Sequence, residues 1–261
     1  MKAAVSGATP TPATYHPTPN TRPPSPITHH PPPTWEQELE LCSLGASLVA
    51  GVDEAGRGAW AGPVVAGAVI FPQPEALLER MRRDELAAEL SLLRDSKLLP
   101  AALREQLFDV IGATACAAGV GIVSPALVDV IGLGPANRLA MTRAVRDLGV
   151  RPHFLLVDAF KIHSLRIPQR PIIRGDALCM SIAAASIVAK VTRDRIMRGY
   201  DAEYPGYGFA QHKGYGTRAH VAALLKLGVS PLHRRSYAPI VAMLAGKYVE
   251  AVEEVSADAC G

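Results

Sequence analysis

The chain has 261 residues, of which 49% are hydrophobic and 20% charged, and this composition predicts a soluble globular protein with one large domain. Its formal net charge of +3 is too small to indicate a polyanionic partner by itself. No apolar run reaches the roughly 20 residues of a membrane span, and the N-terminus lacks the features of an export signal. The four cysteines are scattered without a CxxC pair, so we expect no zinc knuckle, no disulfide framework and a cytoplasmic location away from membranes.

The first 34 residues are unusually rich in proline. They contain ten prolines and almost no large aliphatic side chain, so they cannot bury enough apolar surface to offset the entropy lost on ordering. We predict a disordered tail over residues 1–40, although a helical pattern already begins at Trp35.

Hydrophobic patterning along the rest of the chain predicts both strands and helices. In chain order they are a helix at 35–44, strands at 47–53 and 63–71 that form a hairpin, and helices at 75–94 and 100–112. A strand at 116–123, helices at 125–131 and 135–148, a strand at 154–158 and helices at 176–197, 218–227 and 239–252 follow. Three consecutive alanines in the helix at 176–197 are small enough for close packing on a sheet. The order of elements indicates a mixed α/β sheet with flanking helices.

The strongest local signal is the run Asp-Glu-Ala-Gly-Arg-Gly, in which two acids end the first apolar strand. Adjacent residues on a strand point to opposite faces, so Asp53 and Glu54 can share one site only if the backbone bends at or after Glu54. Gly56 and Gly58 permit such a bend and allow a ligand to approach the backbone, while Arg57 offers a phosphate donor. A hairpin turn with solvated charges is the simpler explanation of the two acids when they are considered alone.

Two further acids lie at the ends of predicted elements. Asp158 ends an apolar strand and Asp176 begins the long helix. Alone, the first is explained as a solvated strand end and the second as a helix N-cap. Together with Asp53 and Glu54 they form the oxygen-rich set that Mg²⁺ and Mn²⁺ prefer.

The second half of the chain is basic. Residues 204–249 carry six Lys or Arg and no acid, with aromatic side chains interleaved. Such a pattern suits a phosphate backbone and stacking on sugars or bases, although a basic face can also be merely solubilising. Tyr215, between two glycines, is predicted on an exposed loop, and we expect His212, His220 and His233 at the surface or on the phosphate side.

Several motifs, taken together in chain order, resemble the bacterial ribonuclease HII family. They are Asp53 to Gly58 (DEAGRG), Asp95 to Lys97 (DSK), Asp158 after an apolar strand, Arg174-Gly-Asp176 leading into Ser181 to Lys190 (SIAAASIVAK), and His212 to Thr217 (HKGYGT). The resemblance covers about residues 45–240.

The resemblance implies an RNase H-like mixed β-sheet flanked by helices, with a helical C-terminal part. On that basis we expect the catalytic domain at residues 45–200 and a helical substrate-binding part at residues 201–255. The implied activity is endonucleolytic hydrolysis of the RNA strand of RNA/DNA hybrids, and nicking at ribonucleotides embedded in duplex DNA. It would proceed by two-metal-ion in-line hydrolysis that leaves 5′-phosphate and 3′-hydroxyl ends. The partners would be these nucleic acids, and a monomer is expected.

The resemblance also implies residue roles. The catalytic acids, which would hold two ions of Mg²⁺ or Mn²⁺, would be Asp53, Glu54, Asp158 and Asp176. Substrate contacts would come from Gly56, Arg57, Gly58, Lys97, Ser181, Ser186, Lys190 and Tyr215. Among them Tyr215 would pack on the sugar that follows the ribonucleotide, while Ser186 and Lys190 are four residues apart and share a helix face.

Two other functions and one related family remain open. Another nuclease or strand-transfer enzyme of RNase H-like fold would share acidic metal sites. A non-catalytic nucleic-acid-binding protein would use the acids only as caps. The related ribonuclease HIII would bring a folded N-terminal substrate-binding domain and Glu as its fourth acid, whereas here the fourth is Asp176 and the N-terminus is rich in proline.

Overall fold

The computed structural model describes residues 31–247 of the chain. Its sheet consists of β1 (Val49–Ala55), β2 (Val64–Ile70), β3 (Ala117–Val123), β4 (Phe154–Asp158) and β5 (Gln169–Ile172). The helices are α1 (Glu36–Ser43), α2 (Pro74–Arg83), α3 (Glu85–Ala88), α4 (Ala101–Thr114), α5 (Pro125–Ile131), α6 (Leu133–Asp147), α7 (Gly175–Leu178), α8 (Met180–Glu203), α9 (Phe209–His212), α10 (Arg218–Leu227) and α11 (Ala238–Leu244), with a 3₁₀ helix at Glu89–Leu92. Within this part of the chain, no helix combines the length and apolar character needed to cross a membrane.

The sheet is mixed, with the strand order β3-β2-β1-β4-β5. β1 and β2 form the predicted antiparallel hairpin, β3 is antiparallel to β2, and β4 and β5 run parallel to β1. In the parallel pair, Val52 lies opposite Val157. The acids that follow these two valines therefore meet at one edge of the sheet.

Helices cover both faces of the sheet. Ala50 and Val52 of β1 belong to the apolar core beneath α6, whereas Gly51 between them lies against α8. A Cβ on Gly51 would overlap the Ser181 carbonyl group, so only glycine allows α8 to approach this closely. The three alanines at 183–185 are fully buried, which confirms the predicted close packing of this helix.

The C-terminal helices enclose an apolar cluster of their own, which includes Phe209, Leu224 and Ile240. α8 continues without interruption across the predicted division at residue 200 and ends at Glu203, and the division itself stays a prediction. Residues 248–255 of the predicted C-terminal part lie outside the described residues. A substrate-binding role for this part of the chain stays a prediction.

The predicted end of the tail at residue 40 is wrong. α1 begins at Glu36, and before it Thr34 pairs with Cys179 in a parallel β-bridge. Glu38 accepts hydrogen bonds from the amide and the hydroxyl of Ser181. These contacts with a distant part of the sequence order the segment from Thr34 onward, and the first 30 residues lie outside the described part of the chain.

Two predicted helices are interrupted. The segment 75–94 is divided into α2, α3 and the 3₁₀ helix, because Asp84 leaves the helical conformation (φ −123°, ψ 112°) and caps α3 by accepting from the Leu86 amide. The segment 176–197 is divided at Cys179, which is extended between α7 and α8. Both breaks follow from a single residue that bonds outside the helical pattern.

Candidate active site

A cleft of about 590 Å³ opens at the edge of the sheet where β1 and β4 end. Of the twelve predicted site residues, all but Asp176 and Ser181 line it. Three further lining residues, Ala55, Ser96 and Arg104, are not among these twelve. The fold thus gathers into one cleft residues that are far apart in the sequence.

The centre of the cleft is a cluster of three acids. One carboxylate oxygen from each of Asp53, Glu54 and Asp158 lies within 4.8 Å of the others. β1 stays paired with β2 through Ala55, and the turn comes only at Gly56 (φ 91°), so no bend separates the two adjacent acids. Asp53 instead turns back to accept a hydrogen bond from the Glu54 amide (2.7 Å), and both carboxylates reach the same site.

The fourth acid, Asp176, is held next to this cluster by the short helix α7. The Gly175 amide donates to the Asp158 carboxylate (2.8 Å), and Asp176 follows directly in the first turn. It is not the N-cap, because Arg174 in left-handed conformation (φ 57°) occupies that position. Lys97 Nζ lies 3.9 Å from the Asp176 carboxylate and connects this acid to the rim of the cleft.

Burial raises the pKa of all four acids, and the negative charges of neighbouring acids add to this effect. Burial is the largest cause for Asp53, followed by the charges of Glu54 and Asp158. Burial also raises the pKa values of Glu54 and Asp158. The pKa of Asp176 rises to about 6 through burial and the charge of Asp95. Four ionised carboxylates in this cleft are therefore unfavourable without a counter-charge, which is the electrostatic condition for binding a cation.

Replacing Asp176 with Asn should stabilise the protein at pH 7.5 in the absence of divalent cations. The pKa of Asp176 is about 6 in the folded chain, compared with an unperturbed pKa of 3.8. The contribution of this carboxyl group to the free energy of unfolding is therefore fully present below pH 3.8 and is lost as the pH rises through 6. Asparagine does not ionise, so the variant avoids this loss. At pH 7.5 its free energy of unfolding should exceed that of the wild type by about 1 to 3 kcal/mol. Thermal melting in EDTA at pH 4 and pH 7.5 measures the difference, and an equal shift at both pH values would contradict the explanation.

The Gly-Arg-Gly loop, residues 56–58, borders the acid cluster. The Arg57 carbonyl accepts hydrogen bonds from Arg234 Nη1 (2.9 Å) and from the Tyr237 hydroxyl (2.6 Å). The Arg57 side chain is half exposed, with Nη1 3.5 Å from Glu54 Oε1. The loop therefore presents a fixed backbone together with an accessible guanidinium group.

Residues from α8 and α4 form another wall of the cleft. Ser186 Oγ donates to Ser96 Oγ (2.8 Å), and Lys190 Nζ pairs with Asp194 (2.6 Å). Arg104 Nη2 lies 3.6 Å from the same carboxylate. The signal for Ser96 was its place in the DSK motif, whereas no local pattern indicates that Arg104 reaches the cleft.

The prediction that Ser181 contacts substrate is wrong. Its side chain is buried, and the hydroxyl donates to Glu38 Oε1 (2.7 Å) outside the cleft. Five positions separate Ser181 from Ser186, which corresponds to about 140° around a helix. The two serines therefore cannot share the face that Ser186 and Lys190 share.

Tyr215 lines the cleft and is 36% exposed, with the Arg193 guanidinium 5.4 Å from its ring centroid. The expectation that the three histidines lie at the surface is wrong. His220 and His233 are buried and His212 is half-buried, because their ring nitrogens are satisfied by hydrogen bonds within the C-terminal part.

Sequence comparison relates the chain to a single family. A sequence model described as Ribonuclease HII matches residues 50–240. The Ribonuclease HII of Dehalococcoides mccartyi (strain ATCC BAA-2266 / KCTC 15142 / 195) is 49% identical over 211 residues, which cover 81% of this chain and 95% of the relative.

Two solved structures are similar in fold. The ribonuclease H2 from Pyrococcus horikoshii OT3 has a TM-score of 0.62 at 26% identity, covering 77% of this chain and 98% of that one. Bst-RNase HIII in complex with Mn²⁺ has a TM-score of 0.59 at 19% identity, and the match covers 80% of this chain and 73% of that one. At this identity the similarity concerns the fold alone. The RNase H-like sheet with flanking helices is confirmed. Because the family model matches most of the chain and 49% of the aligned residues are identical to those of a ribonuclease HII, the chain belongs to the ribonuclease HII family of metal-dependent ribonucleases H, which cleave the RNA strand of RNA/DNA hybrids.

Proposed function

We propose that this chain also nicks duplex DNA at single embedded ribonucleotides, using two divalent cations, Mg²⁺ or Mn²⁺, held by Asp53, Glu54, Asp158 and Asp176. In-line hydrolysis of this kind leaves 5′-phosphate and 3′-hydroxyl ends. The observation that carries the proposal is the convergence of three carboxylate oxygens within 4.8 Å beside a glycine loop with a fixed backbone.

The acid group fits hard divalent cations. Its donors are carboxylate oxygens, the ligands that Mg²⁺ and Mn²⁺ prefer. Glu54 Oε2 is buried without a hydrogen-bond partner among residues 31–247, so an acceptor is left free for a ligand. Burial, and after it the charges of neighbouring acids, raise the pKa values of Asp53 and Asp176, so a bound cation would offset the cost of ionising them.

The chain's own residues orient these oxygens before any ligand arrives. The Glu54 amide fixes the carboxylate of Asp53, and the Gly175 amide fixes that of Asp158. Bound there, the cations would supply the charge that activates an attacking water and stabilises the leaving 3′ oxygen. Because both acids are held by backbone donors, the site is preorganised and little ordering is needed during the reaction.

Selection of RNA over DNA must depend on the 2′-hydroxyl. Backbone groups of residues 56–58 can approach that hydroxyl, since the loop lines the cleft and Gly58 has no side chain to intervene. The Tyr215 ring, exposed at the same cleft, would pack on the sugar after the ribonucleotide. The loop would detect the 2′-hydroxyl of the ribonucleotide, and the ring would pack on the following sugar, which lacks a 2′-hydroxyl.

Phosphate contacts are proposed for Lys97, Ser186 and Lys190. Lys97 is the best placed, because its side chain is 79% exposed and makes only long contacts of 3.9 Å with Asp95 and Asp176. Since Tyr215 comes from the C-terminal helical part, that part would contribute to substrate binding. The protein would act on these nucleic acids as a cytoplasmic monomer.

Cleavage of a short DNA duplex that contains one ribonucleotide tests the proposal. With Mg²⁺ or Mn²⁺ we expect one nick with 5′-phosphate and 3′-hydroxyl ends, and no cleavage in EDTA or of an all-DNA duplex. Binding without cleavage would support a non-catalytic nucleic-acid-binding protein. Cutting of the all-DNA duplex would indicate a different nuclease of the same fold.

Replacing Tyr215 with Ala should reduce kcat/KM at a single ribonucleotide about tenfold or more, since base or sugar stacking contributes about 1 to 3 kcal/mol. The loss should be smaller on a continuous RNA/DNA hybrid, where a 2′-hydroxyl follows the cut and the ring fits less well. Tyr215→Phe is the matched control and should keep most activity, because the contact needs the ring rather than the hydroxyl. Equal losses of kcat/KM on both substrates would contradict the proposed contact of Tyr215 with the sugar that follows the ribonucleotide.

A further inference from the structure

Three histidine rings, those of His212, His220 and His233, lie close together next to the loop that carries Tyr215. They have no part in the chemistry described above. The rings of His212 and His220 stack with centroids 4.3 Å apart, and the His233 ring lies 5.2 Å from that of His220. His220 and His233 are at most 1% exposed. Their ring nitrogens are therefore satisfied within the protein, and each bond limits where the ring proton can be.

The hydrogen bonds of this group fix the proton on each ring. The Ser230 amide (3.0 Å) and hydroxyl (2.8 Å) can both donate to His233 Nδ1, and the Ser230 carbonyl oxygen is farther away (3.4 Å). We therefore assign the proton of His233 to Nε2, which lies 3.0 Å from His220 Nε2. His220 Nε2 must then accept, and its Nδ1–H donates to the Tyr215 carbonyl (3.0 Å). A one-directional chain of donors runs from Ser230 through His233 and His220 to Tyr215, here called the histidine chain.

Charge on either ring would break the histidine chain. A proton added to His220 Nε2 would face the N–H of His233 across 3.0 Å. Burial, more than the neighbouring imidazoles, lowers the pKa of His220 to about 3, and burial lowers that of His233 to about 4. Both rings therefore stay neutral at physiological pH, and the chain keeps its direction.

The same part of the protein holds the Gly-Arg-Gly loop. Arg234, the residue after the last histidine, donates its amide to the Trp60 carbonyl (2.7 Å) and its guanidinium to the Arg57 carbonyl (2.9 Å). The Trp60 amide donates to the Gly214 carbonyl (2.8 Å), next to Tyr215. The loop proposed to read the 2′-hydroxyl and the loop that carries the ring are thus parts of one hydrogen-bonded unit.

We propose that His220 and His233 are positioning residues that hold Tyr215 at a fixed place relative to the Gly-Arg-Gly loop, and that they thereby set the selectivity for a single ribonucleotide over a continuous hybrid. This inference rests on the proposed sugar contact of Tyr215. The histidines act through the bond to the Tyr215 carbonyl, which also accepts from the Thr217 amide (2.8 Å). The Tyr215 amide also donates to the His212 carbonyl (3.0 Å). Loss of His220 should therefore remove one of the two hydrogen bonds to the Tyr215 carbonyl and shift the ring without releasing the loop.

The test compares His220→Leu with His220→Asn. The asparagine amide nitrogen takes the place of Nδ1 and keeps the donor to Tyr215, whereas leucine keeps only bulk. The readout is the ratio of kcat/KM on a one-ribonucleotide duplex to that on an RNA/DNA hybrid. We expect His220→Leu to lower this ratio about threefold or more, in the same direction as Tyr215→Ala, and His220→Asn to keep it within about twofold of the wild type.

A destabilised variant and a double variant separate positioning from loss of stability. Leu77→Ala, in a buried core that the C-terminal part does not share, should lower the melting temperature without changing the ratio. Adding His220→Leu to Tyr215→Ala should change the ratio no further, because both remove the same contact. An unchanged ratio in His220→Leu beside a lowered one in Tyr215→Ala would overturn the inference and leave the proposed function intact. An unchanged ratio in Tyr215→Ala would overturn the sugar contact and the inference with it.

A measurement on the wild type does not depend on the folding of any variant. Nitrogen-15 NMR of the imidazole rings should detect the Nδ1–H tautomer of His220 and the Nε2–H tautomer of His233, both neutral at pH 7. The opposite tautomers, or a charge on either ring, would overturn the histidine chain.

Discussion

Replacing Asp53 with Asn is expected to abolish cleavage of both kinds of substrate while leaving the fold intact. Asp53 is buried in the acid cluster, and its loss removes a charge that binds cations. Bound cations supply several kcal/mol of transition-state stabilisation, so the rate should fall about a thousandfold or more. Single-turnover cleavage at saturating Mg²⁺ or Mn²⁺ measures the loss, and a rate near that of the wild type would defeat the assignment.

Two controls separate loss of the site from loss of the fold. In EDTA the Asn variant should melt no lower than the wild type, because burial and the charge of Glu54 make ionised Asp53 unfavourable and a neutral amide relieves that cost. Glu79→Gln removes an exposed carboxylate that pairs with Arg82 and Arg83 of its own helix. It should cleave like the wild type, and a comparable loss would show that the effect is not specific to the acid cluster.

The acid cluster could be anticipated because it depends on where strands end. Asp53 and Asp158 each follow directly on an apolar run of strand residues, a feature that the sequence displays directly. Parallel neighbours bring their carboxyl ends to one edge, and β1 and β4 are such neighbours. What local patterns could not supply was the side-by-side position of these strands, which are separated in sequence by β2, β3 and several helices.

Elements that depend on distant contacts were the ones missed. β5 contains Pro171 and little aliphatic content, and it pairs only with β4 at the edge of the sheet, where proline is tolerated. The break at Cys179 and the ordered start at Thr34 depend on each other, because the two residues form a bridge. Hydrophobic periodicity reports one segment at a time and cannot indicate such a pairing.

The basic residues of the second half have two uses that the sequence could not separate. Arg193 and Arg234 are fully buried and bind backbone carbonyls that hold the cleft loops. Lys190 is paired with Asp194 of its own helix but also lines the cleft, where it keeps its proposed phosphate contact. Much of the charge expected to bind phosphate is therefore structural, while Lys97 and Arg57 keep exposed cationic groups. Because arginine is rarely buried completely, composition alone favours the surface interpretation.

Replacing Gly56 with Ala should destabilise the protein by about 3 to 5 kcal/mol and remove most of its activity. Gly56 has a φ of +91°, a conformation that L side chains rarely adopt. A Cβ there would overlap Arg193 Nε and lie 2.8 Å from the Pro63 carbonyl oxygen. Arg193 cannot move aside without cost, since its guanidinium donates to the carbonyls of Pro63, Ala61 and Lys213.

Gly58→Ala is the matched control, because it adds the same methyl group two positions further along the same loop. A Cβ on Gly58 meets no atom within 4 Å, so the free energy of unfolding should stay within about 0.5 kcal/mol of the wild type. The methyl group would nevertheless project from a residue that lines the cleft, and we expect cleavage at a single ribonucleotide to fall. Urea denaturation and cleavage assays on both variants separate the two roles of glycine. Equal stabilities of the two variants would contradict the steric role of Gly56, and full activity of Gly58→Ala would contradict close approach of substrate to the loop.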